Sequence, residues 1–126
     1  MFGPRRRADP LLTTHAWRLV KQHWRDLRPP CMAPRCHLPG IPIDWDGPYL
    51  VTTPSGRRTI NPAAFNCGHI VSRRRARRLG WPESRINDVS NTRAEHARCS
   101  VKDGAREGRA VQARRHAALV AYTERW

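Results

Sequence analysis

A chain of 126 residues with 39% hydrophobic and 7% aromatic side chains can close one domain around a thin core, and a domain of that kind often carries a metal staple. Lysine and arginine number 24 against 10 aspartates and glutamates, a formal net charge of +14, which argues against a basic partner and for a polyanion. No apolar run approaches the roughly 20 residues of a membrane span, so no membrane partner is expected.

Of the cations only Lys21 and Lys102 are lysines. Arginine makes bidentate contacts with phosphate, so the bias suits nucleic acid, although a GC-rich coding sequence would also raise arginine. Residues 1–9 lack the apolar centre of a secretory signal and read as a basic, disordered arm. A cytoplasmic, reducing location is the expectation, and in it the four cysteines serve metal binding before disulfides.

Asp9-Pro10 is a helix start, with aspartate as the cap and proline at the first helical position. Leu12, Ala16, Leu19, Val20, Trp24 and Leu27 then recur at helical spacing until Pro29-Pro30, with Trp17 and His23 flanking the stripe. This predicts a packing helix over 10–28. Residues 31–40 form a Cys/Pro/Gly knuckle. Ile41 to Trp45 and Tyr49 to Thr53 read as short strands around Asp46-Gly47, and Pro54-Ser55-Gly56 as another turn. Asn66 to Ser72 reads as a strand, and Arg73 to Asp88 as a basic loop broken at Gly80-Trp81-Pro82. From about Ala97 the chain turns helical, with Gly104 and Gly108 as candidate interruptions before a basic helix over 107–126.

Two pairs have metal-ligand spacing: Cys31-x4-Cys36 and His96-x2-Cys99. Structural zinc takes four sulfur or nitrogen ligands in a tetrahedron, and each pair sits on a short segment able to aim two side chains at one ion. A structural, closed Zn²⁺ site is therefore expected on Cys31, Cys36, His96 and Cys99. Cys67 or His37 could replace one of these, and buried free thiols are the remaining alternative.

Hydrolysis of a phosphodiester needs a base, a cation and an orienting donor. His69 is the natural base, since its ordinary pKa lies near neutrality. Asn91 could hold the loop opposite His69 by bonding to backbone groups.

The stretches Pro42-Ile-Asp-Trp-Asp-Gly-Pro-Tyr49, Cys67-Gly-His-Ile-Val-Ser72 and Asn91-Thr-Arg-Ala-Glu-His-Ala-Arg-Cys-Ser100 together resemble the HNH endonucleases, especially the small forms of actinobacterial phages and their hosts. With the knuckle, the resemblance spans about residues 31 to 106. It implies an α+β fold built on a ββα-metal finger (His-Me finger), stapled by the structural zinc and flanked by N- and C-terminal helices, with an HNH domain over 29–106. His69 matches the general base and Asn91 the bracing asparagine. Ser100 stands where the family has a last His or Asn that binds a catalytic Mg²⁺ or Mn²⁺. Two positions depart from the family: Gly68 stands where an aspartate ligand is common, and Ser100 is a neutral hydroxyl. Asp88 or Asp103 could supply the missing carboxylate. The implied activity is metal-dependent cleavage or nicking of double-stranded DNA in a bacterial host cell, with phage terminase or packaging proteins as possible partners.

Arg73, Arg74, Arg75, Arg77 and Arg78 put five arginines in six residues after the candidate base. Such contacts position a duplex backbone without reading sequence. Trp81 beside them is expected to cap the core. Arg106, Arg109, Arg114, Arg115 and Arg125 form a second cationic surface, and Val111, Leu119 and Val120 could pack on another subunit. Two further readings stand beside the nuclease: a DNA-binding module on a degenerate HNH scaffold, and an RNA-associated basic zinc protein.

Overall fold

The computed structural model describes the backbone of residues 9–124 and the side chains of residues 9–120. The arm expected over residues 1–9 lies, except for Asp9, outside the described residues, as does Arg125. The described chain is a mixed α+β fold with two small antiparallel sheets.

The N-terminal helix is shorter than its spacing predicts. Asp9 caps only a 3-10 turn, Pro10–Leu12, by accepting from the Leu11 amide. Thr14 then caps α1 (His15–Leu27) by accepting from the Trp17 amide at 3.1 Å. The second cap wins because its hydroxyl satisfies an amide left over at the helix start. The buried face is Trp17, Val20 and Trp24, while Leu19 and Leu27 remain 58% and 62% exposed. At about 100° per residue Leu19 falls opposite Trp17, so the stripe centres on the tryptophans and not beside them. Arg28 closes the helix at φ 48°, ahead of the two prolines.

The first hairpin also differs from expectation. Ile41 to Trp45 forms no strand, only an isolated bridge between Asp44 and Ala64. Pro42 has no donor to pair, and the Asp44 carboxylate accepts from the Gly47 amide at 2.9 Å, which turns the chain early. The strands are β1 (Leu50–Thr52) and β2 (Arg58–Ile60), with Val51 opposite Thr59. They meet around Pro54-Ser55-Gly56, where Gly56 takes the left-handed conformation at φ 83°.

The second hairpin positions everything that follows. β3 (Phe65–His69) pairs with β4 (Thr92–His96), placing Asn66 opposite Glu95, Gly68 opposite Arg93 and His69 opposite Thr92. Between them the expected basic loop is instead two short helices, α2 (Arg73–Arg78) and α3 (Glu83–Ile86). Ser72 caps α2 by accepting from the Arg75 amide, and Gly80 follows it with φ 76°. Ala76 is the only apolar residue of α2, and it is completely buried against Leu11 and Ile86. Asn91 does not sit at a helix start, because β4 intervenes. α4 then runs unbroken from Ala97 to Glu124, through both Gly104 and Gly108, so the expected division at 106/107 falls inside one helix.

The core is divided. Trp17, Val20, Trp24, Ile43 and Ala94 form the larger cluster, and Leu11, Ala76 and Ile86 the smaller, with Trp81 and Val71 packed at its side. Across the hairpin, the Trp24 indole donates to the Thr92 hydroxyl at 3.0 Å, tying α1 to β4.

Candidate functional site

The knuckle and the start of α4 converge on one point. Cys31, Cys36, His96 and Cys99 present ligand atoms that all lie within 4.8 Å of one another. Sulfur to sulfur, Cys31 and Cys99 are 3.8 Å apart; His96 Nδ1 lies 3.5 Å from the Cys36 sulfur and 3.7 Å from that of Cys99. A tetrahedron with Zn–S and Zn–N bonds of about 2.3 and 2.0 Å requires S–S and S–N edges of roughly 3.8 and 3.5 Å. The group could hold a metal ion such as zinc.

Its surroundings have the matching polarity. His96 is fully buried, and its Nε2 donates to the Ile41 carbonyl at 2.7 Å, which leaves Nδ1 as the ligand. The His37 amide donates to the Cys99 sulfur and the His96 amide to the Cys31 sulfur, both directed at where thiolate charge would sit. His37 contributes its backbone and Cys67 takes no part, so neither alternative ligand joins the group. Burial pushes the Cys99 thiol up to about 11, so an ion binding the thiolate would release a proton.

On the other side of the hairpin lies a groove of about 940 Å³. His69, Ser100, Arg93, Glu95 and Asp103 line it, together with Arg73, Arg74, Arg75, Arg77 and Arg78. Of the C-terminal arginines, Arg114 reaches it. His69 ends β3 with its ring stacked on Trp17, centroids 4.9 Å apart and planes 8° from parallel. Its Nε2 lies 2.9 Å from Asn87 Oδ1. Burial lowers the pKa of His69 below its ordinary 6.5; the Asn87 bond opposes this, and Arg73 reinforces it.

Asn91 is buried and does not line the groove. Its Oδ1 accepts from the Val71 amide at 2.9 Å, and its Nδ2 donates to the Val71 and Ile86 carbonyls. All three bonds go to the backbone on either side of the arginine helix.

Ser100 accepts from Asn66 Nδ2 at 2.7 Å and donates to the Glu95 carboxylate. Glu95 is 2% exposed, and no motif in the sequence singles it out. A Cβ at residue 68 would overlap its carboxylate, so the absent side chain of Gly68 is the room that Glu95 occupies. Arg93 donates to Glu95 at 2.8 Å and to Asp103 at 3.2 Å. Asp88 is engaged elsewhere, accepting from the Ser90 amide and hydroxyl. The signal for Glu95 is its parity: once β4 exists, Arg93 and Glu95 must share a face with Gly68 and Asn66.

Asp9 links the N-terminus to the arginine helix through ion pairs of 2.6 Å with both Arg73 and Arg77. The Arg77 guanidinium holds its carboxyl below the usual carboxylate range. Trp81 packs at the smaller core and carries the Arg85 guanidinium 3.7 Å above its ring. Among the described residues no helix is long and apolar enough to cross a membrane.

Compared with known proteins, the chain matches no family model, no curated protein and no solved structure.

Proposed function

We propose that the protein is a small HNH-type endonuclease that hydrolyses phosphodiester bonds of double-stranded DNA, with zinc as a structural staple in the Cys31/Cys36/His96/Cys99 group. The observation that carries this reading is the single groove shared by His69, an oxygen-rich wall and five clustered arginines. The β3–β4–α4 order supports a ββα finger, and the Asn91 bonds support a brace that fixes the chain after His69.

In this reading the arginines of α2 hold the phosphate backbone, and His69 takes the proton from the attacking water. Glu95 replaces the carboxylate that Gly68 lacks. Glu95, Ser100 and Asp103 offer hard oxygen donors of the type that suits Mg²⁺ or Mn²⁺. Such an ion, when bound, stabilises the charge developing on the phosphate. Phage terminase remains a proposed partner on resemblance alone.

A second reading, a DNA-binding module without hydrolysis, is favoured by Arg93. Its guanidinium already neutralises Glu95 and Asp103, and an incoming ion would have to displace it. Supercoiled-plasmid cleavage with Mg²⁺, Mn²⁺ or EDTA, comparing the parent with His69→Ala, separates the two. Metal-dependent nicking that disappears in the variant supports the nuclease. Plasmid retardation without cutting by either protein leaves the binding module.

A further inference from the structure

The ring nitrogens of a histidine are not equivalent, and here the neighbours decide which one bears the proton. Asn87 is buried, 6% exposed, at the end of α3. Its Nδ2 lies 2.7 Å from the Leu11 carbonyl oxygen. A carbonyl can only accept, so the amide nitrogen must face Leu11 and the amide oxygen must face His69. An amide oxygen likewise can only accept, so His69 Nε2, 2.9 Å away, must carry hydrogen. Neutral imidazole has one ring proton, and therefore Nδ1 holds the free lone pair. Among the described residues Nδ1 has no hydrogen-bond partner, and His69 lines the groove. The Trp17 ring lies flat against the imidazole and restricts its tilt.

We propose that Asn87, anchored on the Leu11 carbonyl, is a positioning residue that keeps His69 in the Nε2-protonated form and so presents Nδ1 as the proton acceptor of the groove. The proposal rests on the nuclease reading for the use of that lone pair, but not for its existence. It also gives the N-terminal segment a function, because the anchor carbonyl and the stacked ring both lie outside the two hairpins.

The test is nitrogen-detected NMR of histidine-labelled protein, followed through a pH titration. In the parent at neutral pH, His69 should show a protonated-type Nε2 and an unprotonated-type Nδ1. Asn87→Ala should lower the titration midpoint of His69, and Asn87→Asp should raise it, since a carboxylate favours the imidazolium. Plasmid cleavage by Asn87→Ala should slow by about 10- to 100-fold, taking as a guide the range for removing the outer hydrogen-bond partner of a metal-ligating histidine. The acidic limb of its pH–rate profile should move with the NMR midpoint, which a packing defect alone would not produce. An Nδ1-protonated ring in the parent overturns the proposal, as does a midpoint that neither substitution moves. The parent spectrum decides the matter even if a variant does not fold. If the parent shows the expected tautomer yet cuts no DNA, the Asn87 assignment stands and the nuclease reading falls.

Discussion

If the Cys31, Cys36, His96 and Cys99 group holds zinc, removing the ion by chelation or by Cys99→Ser should cost the domain much of its stability. The ligands join residues far apart in sequence: Cys31 and Cys99 are separated by 68 positions, and Cys36 and His96 by 60. Treating the shared ion as a cross-link that closes a loop of 68 residues, the constraint on the unfolded chain is worth about 4 kcal/mol at 25 °C. The packing that accompanies this link is thin, since the two core clusters are small and four of the buried apolar residues are alanines. Against a total stability of about 5–15 kcal/mol, this loss leaves a marginal fold. With roughly 4 °C of melting temperature per kcal/mol for a domain of this size, the apo protein should melt about 15 °C lower. Differential scanning calorimetry with and without chelator measures the shift, and elemental analysis of the parent should find one zinc per chain. Cys67→Ser is the control and should retain the metal, since Cys67 lies outside the group. A parent without metal, or identical melting of parent, chelated protein and Cys99→Ser, would refute the reasoning.

The remaining predictions concern the groove. Gly68→Ala drives a methyl group into the Glu95 carboxylate, which Ser100 and Arg93 hold in place. It should destabilise the protein by about 1–3 kcal/mol in urea unfolding, and an unchanged midpoint would mean that Glu95 moves aside freely. His69 has a folded-state pKa depressed below 6.5 by burial, so the unfolded chain takes up its proton first. Stability from this residue is therefore full above 6.5 and falls as the pH drops through the lowered folded value. Denaturation of the parent and His69→Gln, compared from neutral to about pH 5, should show their stability difference shrinking with acidification. Replacing Arg74, Arg75 and Arg78 with alanine should weaken duplex binding alike for all sequences. For every phosphate no longer neutralised, the slope of log affinity against log salt should become shallower by about 0.9 in a fluorescence-anisotropy titration. A slope equal to the parent's would place these arginines off the DNA track.

The metal group was legible from residue types and spacing because a tetrahedral ion constrains both. Charge likewise identified the arginine run. What the sequence hid were groups whose roles depend on a partner far along the chain. β4 is invisible locally because Ala94, Glu95 and His96 have little preference for strands; pairing with β3 overrides that local tendency. Without β4, Glu95 has no face and Gly68 looks like a missing ligand instead of a vacated space. The arginine run reads as a loop because one buried alanine among five arginines gives no apolar stripe, and its helicity comes from the Ser72 cap and the packing of Ala76 on Leu11.

Composition and ligand spacing thus determined by themselves a strongly basic chain with two metal-type ligand pairs, since such features depend on residue identity and short separations; that the pairs meet, without Cys67 or the His37 side chain, was decided by the fold. The setting of His69 was decided only by tertiary structure. Trp17 and Leu11 lie more than fifty positions before it and Asn87 lies eighteen after. Only packing α1 against the β3–β4 hairpin brings a flat ring, a carbonyl and an amide to one imidazole, because its orientation depends on directional contacts that no local pattern encodes.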